Sequence, residues 1–166
     1  AGGCSGVPIS SNQVVIRAAN FDYGDFYITS NATTSACYEA RATVAWNPVA
    51  FQNVTLSGAV LTKIQGNNNW NGGAASFNVV RNNGYLQFTA TETNTNRMIG
   101  LSNTNTDGDY TTIQYAIYLR NDGNLFVYES GVNRGNFGSY LTNDVFKVAI
   151  ESNVVKYYRN GSVFYI

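Results

Sequence analysis

The sequence contains no histidine. Histidine supplies the general base of the usual serine and cysteine nucleophile systems, and it is the commonest metal ligand in proteins. Its absence excludes the usual catalytic triads and argues strongly against a zinc site.

Charged residues are also scarce. They make up 12% of the chain, with ten basic residues against ten acidic ones. A chain without excess positive charge has no field that would attract nucleic acid or an anionic membrane. We therefore expect neither partner. Because few like charges repel one another between copies, self-association is weakly opposed and homo-oligomers or polymers are expected.

No run approaches the roughly 20 apolar residues of a membrane-spanning helix, so we expect no membrane insertion. The chain shows neither an initiator Met nor a basic, apolar leader, which is typical of a processed secretory protein. It has two cysteines, Cys4 and Cys37. In an oxidising compartment they would form one disulfide, worth about 3 to 4 kcal/mol through the loop that it closes. The alternative is two unrelated thiols.

Short runs rich in Tyr, Phe, Val and Ile alternate with turn pairs over most of the chain. Asn82-Asn83-Gly84, Asp122-Gly123 and Asn160-Gly161 supply the positive φ that tight hairpins need. Apolar residues do not recur at helical spacing over three turns. The pattern predicts strands over 54–63, 75–80, 85–90, 97–102, 114–119, 125–129, 145–151, 154–159 and 162–165.

The first fifty residues carry a separate group of predicted strands. They predict three strands, around 14–17, 26–28 and 38–46, before Asn47-Pro48 interrupts the ladder. We therefore expect one domain over residues 1–166, with an N-terminal strand-rich arm over 1–50 and a main module over 51–166.

Five short segments carry a family resemblance: 70–76 (WNGGAAS), 84–89 (GYLQFT), 100–104 (GLSNT), 127–131 (VYESG) and 155–165 (VKYYRNGSVFY). They resemble SPRY-like, concanavalin-type jelly-roll modules of large secreted bacterial proteins, over about residues 57–166. The resemblance implies an all-β, two-sheet antiparallel β-sandwich with a binding or adhesion role. It carries over no ligand residues, because that family has no universal ones.

Glu129 and Glu151 are the candidate pair for catalysis by two carboxylates. Glycosidases place such a pair about 5 to 9.5 Å apart. No Glu-x-Asp-x-x-Glu spacing occurs in the chain, and an isolated acidic residue on a strand usually lies on a solvated face. We expect that the protein is not an enzyme, with glycan hydrolysis as a remote alternative.

The loop over 103–109 is the best metal candidate. Oxygen-bearing side chains alternate at Asn103, Asn105, Asp107 and Asp109 around a turn-forming glycine, as in a calcium loop. The twelfth position, where a bidentate Glu is expected, holds Gln114. Clusters of Asn, Asp and Gly are also ordinary turn formers, so calcium is a weak prediction. We expect no other cofactor.

Aromatic residues make up 14% of the chain. Trp70 and Tyr110 lie on polar segments and are the leading candidates for stacking on glycans. The strand predicted over 114–119 has Tyr115, Ile117 and Leu119 on one face and Tyr118 on the other. One sheet face would pack the core, and the second would meet sugar rings or another protein, or be covered by the arm.

The arm suggests self-assembly. Val14, Val15 and Ile16, or Phe26, Tyr27 and Ile28, would add to the open edge of a neighbouring copy. The alternative is that the arm completes its own sandwich. The first hypothesis is thus a secreted, non-enzymatic structural or adhesive subunit of an extracellular filament or surface assembly, and the second is a carbohydrate-binding adhesion module at Trp70, Tyr110 and the 103–109 loop.

Overall fold

The computed structural model describes residues 13–20, 24–27, 31–33, 41–58, 60–64, 68–81 and 83–166. This part of the chain forms fifteen strands and two short 3-10 helices, Pro48–Ala50 and Tyr110–Thr112. The strands are β1 (Gln13–Asn20), β2 (Gly24–Tyr27), β3 (Asn31–Thr33), β4 (Arg41–Thr43), β5 (Val54–Ser57), β6 (Val60–Lys63), β7 (Gly72–Arg81), β8 (Gly84–Thr89), β9 (Arg97–Ser102), β10 (Tyr115–Leu119), β11 (Asn124–Glu129), β12 (Val132–Ser139), β13 (Val145–Glu151), β14 (Val154–Arg159) and β15 (Ser162–Tyr165).

The strands pair in three antiparallel sheets. Sheet 1 has the order β12-β11-β10-β9-β1-β7, sheet 2 has the order β15-β14-β13-β8-β3-β4, and sheet 3 has the order β2-β6-β5. Sheets 1 and 2 pack face to face, so the predicted all-β, two-sheet antiparallel sandwich is confirmed.

The core fills the space between sheets 1 and 2. Alternate side chains of each strand point inward, because successive residues of a strand face opposite sides. Sheet 1 contributes Ile99, Leu101, Ile117, Leu119, Leu125 and Val127, and sheet 2 contributes Leu86, Phe88, Phe146, Val148 and Tyr157. Leu61 of sheet 3 joins the same cluster.

Strands from the first fifty residues are built into all three sheets. β1 lies between β7 and β9, with Val15 opposite both Val79 and Ser102. Its backbone is therefore hydrogen-bonded on both sides within the same chain. This pairing leaves β1 no open edge for a neighbouring copy, and the self-assembly of Val14, Val15 and Ile16 stays a prediction. The pairing of β1 agrees with the alternative, in which the arm completes its own sandwich.

The remaining strands of the predicted arm are also paired in the same chain. β3 lies between β4 and β8 of sheet 2. Phe26 and Tyr27 belong to β2, which pairs with β6 at an edge of sheet 3. Ile28 and both cysteines of the predicted disulfide, Cys4 and Cys37, lie outside the described residues.

Three hairpins turn through two residues that both have positive φ. They are Ser130-Gly131 (48° and 78°), Ser152-Asn153 (51° and 65°) and Asn160-Gly161 (50° and 84°). Positive φ at both central positions gives the type I′ turn, whose twist matches the flanking strands. The prediction for Asn160-Gly161 is confirmed, and Gly123 also has a positive φ of 78°.

Three strand predictions need correction. The run 54–63 forms a hairpin of β5 and β6 rather than one strand, because Gly58 adopts a φ of 60° that ends β5. β3, a strand of three residues, is absent from the predicted strands of the first fifty residues. β12 is also absent from the predicted strands. The register of β12 against β11 shifts twice, and Gly135 and Gly138 have positive φ, so the strand lacks the alternation on which prediction depends.

Candidate functional site

A group of aromatic rings lies on the outer face of sheet 1. The ring centroids of Trp70 and Tyr110 are 5.1 Å apart, and those of Trp70 and Tyr118 are 5.5 Å apart. Tyr128 is 5.7 Å from both Tyr110 and Tyr118, with its ring nearly perpendicular to each. All four side chains are partly exposed. We call Trp70, Tyr110, Tyr118 and Tyr128 the Trp70 cluster.

The sheet supplies the floor of this cluster. Tyr118 and Tyr128 belong to β10 and β11, and their neighbours on the core side of the same strands are fully buried. Beneath the rings lie Met98, Ile113 and Ala116, each at most 1% exposed. The Trp70 cluster is therefore a second, smaller apolar layer that is backed by the sheet and open to solvent on its outer side.

The segment that carries Trp70 is held by a buried cation. Lys63 of β6 is 0% exposed, and its Nζ donates a hydrogen bond to the carbonyl oxygen of Asn69. Asn53 Nδ2 donates to the carbonyl oxygen of Asn71 across 2.8 Å. These two bonds fix the backbone on both sides of Trp70. A fully buried lysine is rare unless it is paired, and no sequence pattern identified Lys63 as part of the site.

Tyr110 is positioned by the acidic loop that precedes it. Asp109 caps the Tyr110–Thr112 helix, since its Oδ1 accepts hydrogen bonds from the backbone N and the Oγ1 of Thr111, both at 2.8 Å. Asp107 Oδ1 accepts from the backbone N of Asp109 and from Thr112 Oγ1, both at 3.0 Å. The carboxylates thus order the turn that presents the Tyr110 ring.

Two of the predicted calcium ligands, Asp107 and Asp109, form hydrogen bonds within their own loop. Asp107 and Asp109 direct carboxylate oxygens at backbone and hydroxyl donors of their own loop, while Asn103 and Asn105 are exposed. In the described ranges, no group of three or more His, Cys, Asp or Glu residues is arranged to hold a metal ion. Turn formation is thus one explanation for the alternation of Asp, Asn and Gly in this loop, and calcium binding stays a prediction.

An ion pair lies at one end of the Trp70 cluster. Arg120 follows β10, its guanidinium lies 4.7 Å from the Phe126 ring centroid, and it forms a salt bridge with Asp122. The Phe126 ring in turn lies 5.9 Å from that of Tyr118. The hydrogen bond from Arg120 holds the pKa of Asp122 far below its usual range, and the same bond raises the pKa of Arg120. Both side chains are about two-fifths exposed.

Glu129 and Glu151, the candidate carboxylates for glycan hydrolysis, contact tyrosines on opposite faces of β14. Glu129 accepts a hydrogen bond from the Tyr157 hydroxyl at 3.0 Å, and Glu151 accepts one from Tyr158 at 2.7 Å. Consecutive strand residues point to opposite faces, so the two carboxylates do not flank one position. Hydrogen bonds from Lys156 and Tyr158 also lower the pKa of Glu151, whereas a glycosidase acid needs a raised one.

Sequence reasoning selected Trp70 and Tyr110 singly, and the structure brings their rings together. Sequence reasoning placed Tyr118 on one of the two faces of its strand without naming it as a site residue, and it did not single out Tyr128 or the Arg120–Asp122 pair. A signal was present, because alternation in β10 and β11 places Tyr118 and Tyr128 on the face opposite the core. What alternation does not supply is the position of the two loops that bring Trp70 and Tyr110 onto that face.

Comparison with protein-family models, with curated proteins and with solved structures found no match. The resemblance to SPRY-like, concanavalin-type modules therefore stays a prediction. Within the residues that the structure describes, no helix is long and apolar enough to cross a membrane.

Proposed function

We propose that this protein is a secreted, non-catalytic β-sandwich that binds carbohydrate through the Trp70 cluster. The observation that carries the proposal is the contact between Trp70 and Tyr110, two partly exposed rings from separate loops with centroids 5.1 Å apart. Rings that meet at the surface and continue into Tyr118 and Tyr128 form one apolar area, unlike single exposed aromatics.

The chemistry of a sugar suits this area. A pyranose ring has an apolar face of C–H groups and a rim of hydroxyls, so it fits aromatic rings bordered by a few hydrogen-bonding groups. Such groups lie around the cluster: the Arg120–Asp122 pair at one end and Asp109 with Thr111 at the other. The low charge of the whole chain favours a ligand recognised by contact rather than by long-range attraction.

The experiment is a glycan array followed by calorimetry with the glycans that bind. We expect Trp70→Ala to weaken binding by at least about tenfold, as removal of a central aromatic anchor does. Phe77→Ala is the matched control, because Phe77 is a 62% exposed aromatic on β7 of the same sheet, outside the cluster. Absence of any glycan binding by the intact chain, or an equal loss in the control, would contradict the proposal.

A second candidate function is assembly of copies of the chain through an edge of sheet 2. β15 pairs with β14, and no other strand among the described residues pairs with its outer side. This edge has no charged residue, and Val163 and Ile166 are 44% and 67% exposed. The β12 edge of sheet 1, by contrast, is interrupted by two register shifts, which oppose pairing.

Assembly through β15 is tested by Val163→Lys, which places a charge on the open edge. Negative-stain microscopy and light scattering should then show loss of oligomers or filaments, because an edge lysine opposes strand pairing. Val49→Lys is the control, since Val49 is 93% exposed and lies in the Pro48–Ala50 helix. Monodisperse particles of the unmodified chain would count against this second function.

A further inference from the structure

The Arg120–Asp122 pair is built as a rigid donor and acceptor beside the aromatic rings. The Arg120 guanidinium is held by the Phe126 ring at 4.7 Å and by the Asp122 carboxylate. Asp122 Oδ1 also accepts a hydrogen bond from the backbone N of Asn124 at 3.1 Å, which fixes the carboxylate in the turn. Neither side chain has to be ordered when a ligand arrives.

Both members of the pair retain hydrogen-bonding capacity. A guanidinium carries five N–H donors, and a carboxylate has about four acceptor positions. The hydrogen bonds that these side chains form use one donor of Arg120 and three acceptor positions of Asp122, which bind Arg120 and the backbone and side chain of Asn124. Since each side chain is about two-fifths exposed, the remaining groups face solvent. The pair therefore presents donors and acceptors side by side.

The distance along the sheet allows one ligand to reach both parts of the site. Tyr118 precedes Arg120 by two residues, and its ring lies 5.9 Å from that of Phe126, on which the Arg120 guanidinium rests. At a rise of about 3.3 Å per residue, the backbones of Tyr118 and Arg120 are roughly 7 Å apart on the same face of the strand. A sugar stacked on Tyr118 thus has its hydroxyl rim within reach of the pair.

The charge around the cluster opposes an acidic ligand. Among the side chains that the structure describes, its border carries the carboxylates of Asp107, Asp109 and Asp122 and the guanidinium of Arg120, which is already paired. Lys63 lies under the Trp70 segment but is fully buried, so it cannot contact a ligand. A carboxylate or sulfate group placed at the pair would meet the charge of Asp122, and juxtaposed like charges are strongly unfavourable.

We propose that the Trp70 cluster selects neutral sugars that carry two adjacent hydroxyl groups, and that Arg120 and Asp122 are the specificity-determining residues. One hydroxyl accepts a hydrogen bond from Arg120, and its neighbour donates one to Asp122. This inference rests on the proposed carbohydrate function, and it adds the class of sugar and the residues that distinguish it.

The experiment compares a neutral mannan, a neutral glucan and a polygalacturonate by calorimetry on the full chain. The unmodified protein should bind at least one neutral polymer about tenfold or more tightly than the polygalacturonate. Asp122→Asn and Arg120→Gln should each weaken the neutral complex by about tenfold, because each removes a charge-assisted hydrogen bond. Asp122→Asn should also reduce the preference over the polygalacturonate, because it removes the repulsive charge.

Arg134→Gln is the matched control, since Arg134 is an exposed ion-pair residue that contacts Glu129 away from the rings. Near-ultraviolet circular dichroism checks that each variant keeps its packing. If Trp70→Ala abolishes binding while Asp122→Asn and Arg120→Gln leave it unchanged, the specificity inference is overturned and the proposed function stands. Equal affinity for neutral and acidic polymers also overturns the inference, and absence of binding to all three polymers and to the array overturns both.

Discussion

Asn160 Nδ2 donates a hydrogen bond to Asp144 Oδ1 across 2.7 Å, and this contact joins the β14–β15 turn to the residue before β13. Asp144 Oδ2 accepts a second hydrogen bond from the backbone N of Leu141 at 2.9 Å and forms a salt bridge with Arg159 at 2.6 Å. Asn160 in turn accepts from the backbone N of Val145 at 2.8 Å. One carboxylate thus connects the loop before β13 to the end of β14 and its turn.

We expect Asp144→Ala to lower the free energy of unfolding by about 2 to 3 kcal/mol. The substitution removes hydrogen bonds to a nearly buried charge and leaves donors without an acceptor, which costs more than the net value of an exposed bond. Urea denaturation measures the change. Thr142→Ala, exposed in the same loop, is the control and should have little effect. Equal stability of the two variants would show that the carboxylate does not hold these segments together.

Gly100 is required for close approach of β9 to β10. A Cβ at this position would lie 2.0 Å from the carbonyl oxygen of Tyr115 and 2.8 Å from the Cα of Ala116. Both are backbone atoms of a paired strand and cannot move independently. We therefore expect Gly100→Ala to destabilise the fold by about 3 kcal/mol or more, as overpacking against a rigid neighbour does.

The control for Gly100 is another glycine with space around it. Gly58 has a φ of 60°, and a Cβ added there would have no atom within 4 Å, so Gly58→Ala should cost only about 1 to 2 kcal/mol from backbone conformation. Chemical denaturation of both variants separates steric contact from backbone strain. A loss at Gly100 no larger than at Gly58 would contradict the prediction.

Strands can be predicted from the sequence where their signals lie in adjacent residues. β9, β13, β14 and β15 match their predicted bounds, because alternation and turn residues are properties of adjacent positions. β12 could not be found in this way. Its glycines and register shifts lack alternation, and its place as a strand depends on the backbone of β11, although Ser130-Gly131 signals the turn between them.

The candidate site also has a part that the sequence predicts and a part that it does not. Trp70 and Tyr110 are recognisable in the sequence as aromatics on polar segments, but 40 positions separate them and their contact depends on Lys63 and Asp109. These long-range supports have no local signature. The spacing of Asp and Asn in the 103–109 loop likewise suits both calcium binding and turn formation, so calcium binding there stays a prediction.

Lys147 lies against two aromatic rings on the outer face of sheet 2. Its Nζ is 3.7 Å from the Tyr158 ring centroid and 5.3 Å from that of Tyr85. We expect Lys147→Met to lower the free energy of unfolding by about 0.5 to 1 kcal/mol, the usual value of a partly exposed cation–π contact, because Met keeps the apolar stem without the charge. Lys147→Arg should retain most of the stability.

A double-mutant cycle with Tyr158→Leu isolates this contact. The coupling energy should be about 0.5 to 1 kcal/mol, since both single variants lose the same interaction. Tyr158→Phe, which keeps the ring and removes the hydroxyl that donates to Glu151, should leave the coupling nearly intact. A coupling energy near zero would show that Lys147 only covers the sheet.

The buried tyrosines predict a loss of stability in alkali. Burial raises the pKa of Tyr157 far above its ordinary value, and the nearby Glu129 carboxylate raises it further. Burial likewise raises the pKa of Tyr140 to about 12 and that of Tyr158 to about 12, with a contribution from its bond to Glu151. In the unfolded chain, tyrosine ionises near pH 10, at about its ordinary pKa.

Because the pKa values of the folded state lie above those of the unfolded state, the unfolded chain releases these protons first. The stability linked to the neutral hydroxyls is therefore complete below about pH 10 and is lost as the pH rises toward about 12 and beyond. Urea midpoints and tyrosinate absorbance across this range measure the effect. Tyr157→Phe should be less stable at neutral pH, where its bond to Glu129 is missing. It should also lose less stability in alkali, because it has no buried proton to release, and the same slope of stability against pH in both proteins would contradict the assignment.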